Sequence, residues 1–469
     1  MNIVEAKLDQ NIFRTFLQDG SGSVASWKNW IIADRVLYGL PIKKQHYDLI
    51  RACTGRNPVL LPLQGFSEAL FLTGRRSGKS KEASVICAYE AALSGKEKLL
   101  SKGETGLVAC IAPSKRQAAV ERNYIRAIFD TDLLKQEITD ETAEGFKLSN
   151  GVYVTVLAGD WRLVRNFTVL ACVITEAAFF GLDEESKVRS DTELVRAIRP
   201  SLATVNGRLT VISSPYAKKG YCYQTHKKYF GNNVGSVLVW NCASRVMNPT
   251  LNQDIVDKAL AEDLASARAE YLAEFRDDIS AYLSREIVEI CVIRGRKELL
   301  PETDEKYYAF CDVSGGRSDD ASLSIAHRDK KRKVIIDIIR RHKAPHSPAQ
   351  IIASMSEEIK RFGLREITGD AYAAQFVVDA FKSNGIRFIK SELNKSEIYL
   401  EMLPRICSNQ VELLDDEILI LQLAGLERRT RSGGKDIVDH QKGAKDDVAN
   451  AVSGVSAICG KTRKSVGVW

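Results

Sequence analysis

Residues Thr73–Ser80 form the segment TGRRSGKS, which has the composition of a phosphate-binding loop. Such a loop needs backbone N–H groups that converge on phosphate oxygens, a lysine for the outer phosphates and a hydroxyl for Mg²⁺. Gly78, Lys79 and Ser80 supply these groups between an apolar run and a helical segment. The usual loop has a glycine where this sequence has Thr73, so the segment is a GxxxGKS variant. The chemistry that it predicts is nucleotide binding.

Hydrolysis of the nucleotide also needs an acid that orients or polarises the attacking water. Glu176 follows the apolar segment ACVIT and precedes small residues, which is where we expect a hydrolytic glutamate. The alternative is an ordinary carboxylate at a strand end. The preceding residue, usually an aspartate that holds Mg²⁺ through water, is Thr175, which supplies a hydroxyl but no charge. Arg75 and Arg165 are candidate arginine fingers, although surface arginines are common.

Further residues complete the expected nucleotide site. The residues that we expect to bind ATP are Gly74, Arg76, Ser77, Gly78, Lys79, Ser80 and Gln45. Gln45 would hydrogen-bond the adenine, although a single glutamine on a helix is more often solvated. Ser213 and Ser214 follow the segment RLTVI and would sense the γ-phosphate, coupling hydrolysis to movement. The alternative for these two serines is a simple turn at a strand end.

A second set of candidates consists of aspartates at the ends of apolar segments. The expected metal ligands are Asp312, Asp370, Asp446 and Asp447, with Asp320 as an outer ligand. Of these, Asp312, Asp370 and Asp447 are the expected catalytic residues. Carboxylates that converge from separate elements can hold two divalent ions roughly 3.5–4 Å apart and hydrolyse a phosphodiester. Mg²⁺ and Mn²⁺ favour such all-oxygen sites, although each aspartate alone could equally be a helix cap.

The elements that position these residues alternate between apolar strands and helices. The predicted strands are Leu70–Thr73, Gly106–Ala112, Val152–Leu157, Phe167–Thr175 and Arg208–Ser213, and the predicted helices include Lys79–Leu93 and Arg116–Ile128. This alternation predicts an α/β fold with a parallel sheet covered on both faces, as in RecA-like P-loop ATPases. A second alternation begins at Tyr307 with three successive strands, then helix, strand, helix, strand and helix. That order predicts a ribonuclease H-like mixed sheet.

Length and composition set the limits on these expectations. A chain of 469 residues is too long for one ordinary core, and its 45% hydrophobic and 27% charged residues are typical of a globular protein. The net charge of +7 suits a polyanionic partner, but many proteins are as basic. The ten cysteines lack a CxxC pair and lie mostly in apolar runs, so we expect buried thiols without disulfides or zinc. No apolar run approaches a membrane span.

We expect five segments along the chain. These are an N-terminal helical segment (1–60), a P-loop ATPase core (61–245), a helical subdomain and linker (246–304), a ribonuclease H-like nuclease domain (305–460) and a basic tail (461–469). The two sets of candidate residues fall in the second and fourth segments, apart from Gln45 in the first. The sequence therefore predicts two separate centres of phosphate chemistry in one chain.

The order of these motifs resembles the large terminase subunits of tailed bacteriophages. The matching pieces are GRRSGKS, CIAPSKRQA, VRNF before VITEAAFF, RLTVISSP and NPTL with AEYLAEFRDD, followed by DVSGGRSDDASLSIA, TGDAYAAQ and DHQKGAKDDVANAV. The likeness covers nearly the whole chain from about residue 40, and its specificity lies in the combination. Two positions depart from the family pattern. Thr175 stands where the family usually has aspartate, and Lys445 stands where a histidine commonly precedes the acid pair.

The resemblance implies a ring-forming ATPase, a pentamer when packaging, that docks on a procapsid portal and pumps double-stranded DNA. A small terminase subunit would be a further partner, and the nuclease domain would cut concatemers. By motif, Lys79 and Ser80 would bind phosphate and Mg²⁺, and Glu176 would activate water. The metal-binding aspartates would hold two Mg²⁺ or Mn²⁺ ions. The expected location is the host cytoplasm, with transient docking at the portal and no contact with a membrane.

Two other functions stay open at this point. The first is a helicase- or repair-type ATPase–nuclease that acts outside capsid assembly. The segment CIAPSKRQA allows it, although no arginine-bearing final helicase motif follows. The second is a nucleotide-binding assembly module with little hydrolysis, for which Thr175 would be the reason.

Overall fold

The structure is a computed structural model that describes residues 1–160, 164, 167–180, 188, 190–313, 319–370, 375–430, 436–441 and 444–460. The chain divides into two compact units, Met1–Asp277 and Asp278–Trp469. The second unit begins well before residue 305, where the sequence predicts the nuclease domain to begin. The reason is that strand Ile279–Ala281 pairs with strand Glu427–Thr430, so this part of the expected linker belongs to the second unit. None of the described helices has the length and apolarity that a membrane span requires.

The first unit is built on one sheet. Its strands are β1 (Glu68–Thr73), β2 (Gly106–Ala112), β3 (Ile138–Glu141), β4 (Gly145–Leu148), β5 (Tyr153–Ala158), β6 (Thr168–Thr175), β7 (Arg208–Ser213) and β8 (Val237–Cys242). They lie in the order β3-β4-β5-β2-β6-β7-β1-β8. Neighbours from β5 to β8 run parallel, whereas β3 and β4 add an antiparallel hairpin at one edge. The predicted parallel sheet is confirmed.

Helices cover both faces of this sheet. They are α1 (Ile3–Leu8), α2 (Arg14–Leu17), α3 (Lys28–Leu37), α4 (Tyr47–Thr54), α5 (Lys79–Ala92), α6 (Lys115–Ile128), α7 (Asp132–Lys135), α8 (Asp191–Leu202), α9 (Gly220–Tyr229), α10 (Ser244–Met247), α11 (Gln253–Glu262) and α12 (Leu264–Leu272). Successive side chains of a strand point to opposite faces. Ala69 and Phe71 of β1 therefore pack in the cluster with α1, α3, α5 and α6. Leu70 and Leu72 pack in the cluster with α8 and α9.

A buried ion pair ties the N-terminal helices to this core. Lys7 of α1 is fully buried and donates hydrogen bonds to both carboxylate oxygens of Glu82, at 2.6 and 2.7 Å. It also hydrogen-bonds the carboxylate of Asp34 on α3. Glu82 lies on α5, the helix that follows the phosphate loop. The chain before residue 60 is therefore an integral part of the nucleotide-binding unit.

The second unit contains a larger and a smaller sheet. Its strands are β9 (Ile279–Ala281), β10 (Tyr307–Asp312), β11 (Ala321–Arg328), β12 (Val334–His342), β13 (Glu366–Gly369), β14 (Arg387–Lys390), β15 (Val411–Glu412), β16 (Glu427–Thr430) and β17 (Asp436–Asp439). Its helices are α13 (Arg285–Ile290), α14 (Pro348–Arg361), α15 (Gln375–Ser383), α16 (Lys395–Cys407), α17 (Glu417–Gly425) and α18 (Asp447–Gly460). The larger sheet has the order β14-β13-β10-β11-β12-β15, and the smaller has the order β17-β16-β9.

The larger sheet has the predicted ribonuclease H-like arrangement. β10, β11 and β12 form an antiparallel meander, and β13 and β14 extend it in parallel beside β10. Helix α18 lies close on this sheet, because a Cβ on Gly454 would come within 2.5 Å of the Phe310 ring. Asp312 and Ser322 are register partners, and the Ser322 hydroxyl donates to the main-chain oxygen of Asp447 at 2.5 Å. The first turn of α18 is thereby placed at the end of β10.

We predict that Lys7→Met lowers the free energy of unfolding of the first unit by about 3–5 kcal/mol, because removing one partner leaves buried carboxylates uncompensated. Denaturant unfolding followed by tryptophan fluorescence measures this loss, since four of the five tryptophans precede residue 278. Lys102→Met changes an exposed lysine and should cost less than about 0.5 kcal/mol. Equal losses in the two variants would contradict a stabilising role for the buried pair.

Candidate functional site

The phosphate loop joins β1 to α5, at the edge where the parallel strands end. Gly78 has a φ of +98°, a left-handed conformation that favours glycine, and a Cβ there would lie 3.1 Å from the Trp27 ring. The indole N–H of Trp30 donates to the main-chain oxygen of Ser77 at 2.7 Å. The hydroxyls of Thr73 and Ser77 share a hydrogen bond of 2.9 Å. Helix α3 and the loop's own side chains thus hold the backbone of the loop.

Lys79 lies where three strands of the first sheet end. Its Nζ donates to Ser214 Oγ at 2.5 Å and to the main-chain oxygen of Thr73 at 3.1 Å. The same atom lies 3.6 Å from Glu176 Oε1. The ammonium group is therefore surrounded by the phosphate loop, the end of β7 and the acid that follows β6. This is the position that a lysine needs in order to bind the outer phosphates of a nucleotide.

Glu176 occupies a strained backbone conformation. Its φ and ψ are 48° and 44°, in the left-handed region that residues other than glycine rarely adopt. Such strain costs about 1–3 kcal/mol and is concentrated at functional sites. Two residues further on, the N–H of Ala178 donates to Ser213 Oγ at 3.1 Å. Ser213 thus contacts the segment that carries Glu176, while Ser214 contacts Lys79, so the end of β7 touches both groups.

Thr175 and Glu121 are two further buried polar residues of this unit. Thr175 Oγ1 is buried and has no hydrogen-bond partner among the described residues. Glu121 of α6 was missed by sequence reasoning: it is 3% exposed, hydrogen-bonds Ser80 and lies 3.5 Å from Ser84 Oγ. Burial, together with the nearby charge of Glu176, raises the pKa of Glu121 to about 7.

A signal for Glu121 is present in the sequence of α6. The buried positions of this helix are Ala118, Glu121, Ile125 and Ile128, which follow helical spacing. A glutamate on the apolar face of an amphipathic helix is unusual, because buried carboxylates need compensation. Ser80, Thr175, Glu121 and Glu176 together offer the oxygen donors that a hard cation such as Mg²⁺ takes.

The exposed side chain of Arg75 is tied to the chain that follows the sheet. Its guanidinium pairs with Glu270 at 3.1 Å. Its main-chain oxygen accepts a hydrogen bond from Ser244 Oγ at 2.6 Å. The glycine at position 74 permits this close approach of Ser244, because a Cβ on Gly74 would lie 2.2 Å from the same hydroxyl oxygen. The loop is thus held from α10 and α12 as well as from α3.

The remaining predicted nucleotide-site residues lie in varied surroundings. Arg76 has a left-handed backbone, with a φ of 65°, and its main-chain oxygen accepts from Asn248 Nδ2 at 2.9 Å. Gln45 is exposed on a short 3-10 helix, where its Nε2 lies 3.4 Å from His46 Nε2. Arg165 lies outside the described residues. The role of Gln45 at the adenine therefore stays a prediction.

In the second unit, three predicted acids lie at neighbouring element ends. Asp312 ends β10, Asp370 follows the parallel neighbour β13, and Asp447 begins α18. Burial raises the pKa of Asp312 to about 6, and the charges of Asp446 and Asp370 act in the same direction. Burial followed by the charge of Asp312 raises the pKa of Asp447 to about 7. The neighbouring carboxylates thus disfavour the ionised forms of Asp312 and Asp447, which a divalent cation would stabilise.

Asp446 has different surroundings from Asp447. Its carboxylate accepts hydrogen bonds from Lys395 Nζ and Tyr399 Oη, both at 2.7 Å. His440 Nδ1 lies 3.1 Å from the same carboxylate, and its hydrogen bonds to Asp439 and Asp446 raise the pKa of His440 to about 9. Although burial opposes the shift, His440 and Lys395 hold the pKa of Asp446 below its usual range. The structure therefore distinguishes two acids that are adjacent in sequence.

The closest grouping of candidate ligand atoms includes the Asp446 carboxylate. Within the described parts of the chain, Asp439, His440 and Asp446 are the group whose ligand atoms lie within 4.8 Å of one another. Two ions roughly 3.5–4 Å apart do not require such a close group of three, because each ion needs only some of the carboxylates. The all-oxygen donors of Asp312, Asp370 and Asp447 fit Mg²⁺ or Mn²⁺.

Asp320, the predicted outer ligand, is buried in a cluster of positive charge. It pairs with Arg341 Nη2 at 2.5 Å and with Lys445 Nζ at 2.6 Å. It also accepts from the N–H of Ala344 at 3.1 Å. Although burial opposes the shift, these donors lower the pKa of Asp320. In this structure its oxygens are used by cations of the protein itself.

Asn450 is a site residue that sequence reasoning missed. Its Nδ2 donates to Asp312 Oδ2 at 2.7 Å, and its Oδ1 is buried without a hydrogen-bond partner among the residues described. Asn450 lies three positions after Asp447 on α18, so both face the same side of the helix. That spacing was the available signal. The amide orients Asp312 from the helix that also supplies Asp447.

The chain is similar to large terminases of bacteriophages. It shares 15% identity with the HK97 bacteriophage large terminase, covering 89% of this chain and 95% of that one, with a TM-score of 0.38. The large terminase of another, thermophilic bacteriophage in complex with ATP-gamma-S is 10% identical over 88% of this chain and 99% of that one, with a TM-score of 0.36. The magnesium-bound nuclease of the thermophilic phage G20c large terminase is 13% identical over 38% and 97%, with a TM-score of 0.33. No protein-family model and no curated protein match the sequence.

We predict that Asn450→Leu weakens the binding of Mn²⁺ to the second unit about 10–100-fold, as is usual when a group that orients a metal ligand is removed. Isothermal titration of the full chain with Mn²⁺, in the absence of nucleotide, measures the change. Ser453→Ala removes a buried hydroxyl without a described partner from the same helix and should leave the affinity unchanged. An Asn450→Leu protein that binds Mn²⁺ as the unmodified chain does would rule out the orienting role.

Proposed function

We propose that this protein is the large subunit of a phage terminase, which couples ATP hydrolysis to the translocation of double-stranded DNA into a procapsid and cuts concatemeric DNA. The observation behind the proposal is the joining of two units in one chain. The first carries the Lys79 and Glu176 site at the ends of parallel strands. The second carries Asp312 and Asp447 on a ribonuclease H-like sheet.

In the first unit, the loop N–H groups and Lys79 would bind the phosphates of ATP. Ser80 would hold Mg²⁺, which supplies charge neutralisation at the phosphates when bound. Glu176 would orient the attacking water and accept its proton. Its carboxylate is 26% exposed beside Lys79, which supports access by water from outside.

The end of β7 supports the coupling of hydrolysis to movement. The Ser214 hydroxyl accepts from Lys79, and the Ser213 hydroxyl accepts from the N–H of Ala178, in the segment after Glu176. A change in the position of Lys79 on loss of the γ-phosphate would therefore act on β7 and on the segment that carries Glu176. Arg75 and Arg165 stay the candidates for an arginine finger.

In the second unit, Asp312, Asp370 and Asp447 would hold two Mg²⁺ or Mn²⁺ ions, whose role when bound is Lewis-acid chemistry at the phosphodiester. Asn450 would keep the Asp312 carboxylate oriented. Lys395 pairs with Asp446 and Lys445 pairs with Asp320, close to these acids. Within this proposal, the two lysines lie where a DNA backbone would approach, and their acidic partners position them.

The partners that belong to this function are double-stranded DNA, a portal protein, a small terminase subunit and further copies of the chain in a ring, a pentamer when packaging. The net charge of +7 supports contact with a polyanion. DNA binding should weaken as salt rises, because the neutralisation of phosphates releases counterions. The work would take place in the host cytoplasm, at the portal of a procapsid.

We predict that Asp312→Asn reduces Mn²⁺-dependent cleavage of plasmid DNA at least about 100-fold, because it removes a charged ligand from the metal site. ATP turnover by the same protein should stay within about twofold of the unmodified chain, since the ATP site is built by the other unit. Cleavage on agarose gels and phosphate release measure the two activities. Asp379→Asn, at an exposed position of α15, is the control. Parallel loss of both activities would show Asp312 to be a structural residue instead.

We predict that Lys79→Ala abolishes ATP-driven packaging of DNA into portal-bearing procapsids while Mn²⁺-dependent cleavage persists, because the variant loses the ammonium group that binds the outer phosphates. Packaging is measured as DNA protected from added nuclease, and the exposed Lys98→Ala is the control. ATP-driven DNA translocation that needs no procapsid would favour the helicase- or repair-type function. Nucleotide binding without hydrolysis in the unmodified chain would favour the assembly module.

A further inference from the structure

The nucleotide site lacks a negative charge at a position where P-loop ATPases usually have one. The residue before the hydrolytic glutamate is commonly an aspartate that holds Mg²⁺ through water. Thr175 stands here and supplies a hydroxyl without charge. A divalent ion beside the phosphates still requires oxygen donors, and carboxylates bind hard cations more strongly than hydroxyls do. A carboxylate on another element, close to Ser80, could supply the missing charge.

Glu121 is such a carboxylate. It projects from α6 toward the first turns of α5, where it hydrogen-bonds Ser80 and lies 3.5 Å from Ser84 Oγ. Ser80 is the residue whose hydroxyl the loop would offer to Mg²⁺. An aspartate in the usual position also acts next to that hydroxyl. Glu121 thus reaches the same hydroxyl from a neighbouring helix.

Thr175 faces the same side of the sheet as Glu121. Along β6, Val173 packs in the cluster that contains residues of α5 and α6, whereas Ile174 packs in the opposite cluster. Side chains alternate along a strand, so Thr175 lies on the side of Val173. Thr175 is 3% exposed, and its hydroxyl has no hydrogen-bond partner in the described structure. A buried polar group without a partner in the protein is where an ion or its water would be expected.

The absence of a cation beside Glu121 separates it from other buried glutamates of this unit. Glu82 is paired with Lys7, and Glu90 is paired with Lys96 and Arg208. Glu121 makes no ion pair within the described residues, although it is buried as they are. Burying a carboxylate without an opposite charge is costly. A positive ion that arrives with the nucleotide would supply that charge.

We propose that Glu121 replaces the missing aspartate, so that Glu121, Ser80 and Thr175 together hold the Mg²⁺ of bound MgATP. The inference rests on the proposed ATPase function and adds to it a metal-positioning residue on α6. Position 175 then needs no charge, because the charge comes from a different element on the same face of the sheet. Glu176 keeps its separate role of orienting water.

The test is the Mg²⁺ dependence of nucleotide binding, which does not require turnover. A fluorescent, non-hydrolysable ATP analogue is titrated onto the full chain at fixed Mg²⁺ concentrations and also in excess chelator. Glu121→Gln should raise the Mg²⁺ concentration for half-maximal binding about 10–100-fold. Its affinity in chelator should equal that of the unmodified chain, which also reports that the site is folded. Glu144→Gln, at an exposed position, is the matched control.

A double variant tests whether the charge can be moved back to the usual position. Glu121→Gln combined with Thr175→Asp should restore the Mg²⁺ dependence, because the aspartate returns the carboxylate to the end of β6. An unchanged Mg²⁺ dependence in Glu121→Gln would overturn the inference, and so would a double variant no better than the single one. An unmodified chain that binds no ATP analogue at any Mg²⁺ concentration would instead remove the proposed function itself.

Discussion

The burial of like charges close together is the constraint on which both units depend. Asp312 and Asp447 are buried, and the charges of neighbouring aspartates add to the rise in the pKa of each. In the first unit, the charge of Glu176 acts on buried Glu121 in the same way. Such groups oppose folding in a medium of low dielectric constant. They are tolerated because the surrounding elements hold them rigidly, and because a cation can change the balance of charge. The cost of an acid cluster in the free protein is thus linked to its affinity for ions.

Acids that are not left to bind ions are compensated by the protein's own cations. Asp446 has Lys395, and Asp320 has Arg341 and Lys445. These pairs keep positive charge beside Asp312 and Asp447 without neutralising them directly. A phosphodiester that approaches such a surface would meet lysines as well as metal ligands, which suits the hydrolysis of a polyanion.

Strain and packing position the groups of the nucleotide site. The left-handed backbone of Glu176 persists because β6 pairs with β7 up to its last residue and because Ser213 accepts the N–H of Ala178. The N-terminal helices add a second layer of support. Trp30 hydrogen-bonds the loop and Lys7 pairs with the helix behind it. The first sixty residues therefore act on the site through packing, in addition to the role predicted for Gln45.

The sequence by itself determined the elements and the residue types that they carry, because apolar periodicity and the chemistry of a glycine-rich loop are local properties. β2 and β7 have the predicted bounds, and α5 and α6 differ from prediction by one residue. Only the tertiary structure decided that β3, β4 and β8 complete the sheet and that Glu121 lies at the nucleotide site. It also decided that Asp446, rather than Asp447, is the acid with a described ion pair to Lys395, which is 51 positions away in the chain. No local pattern contains that information, because which partner a buried charge meets is set by how helices pack on a sheet.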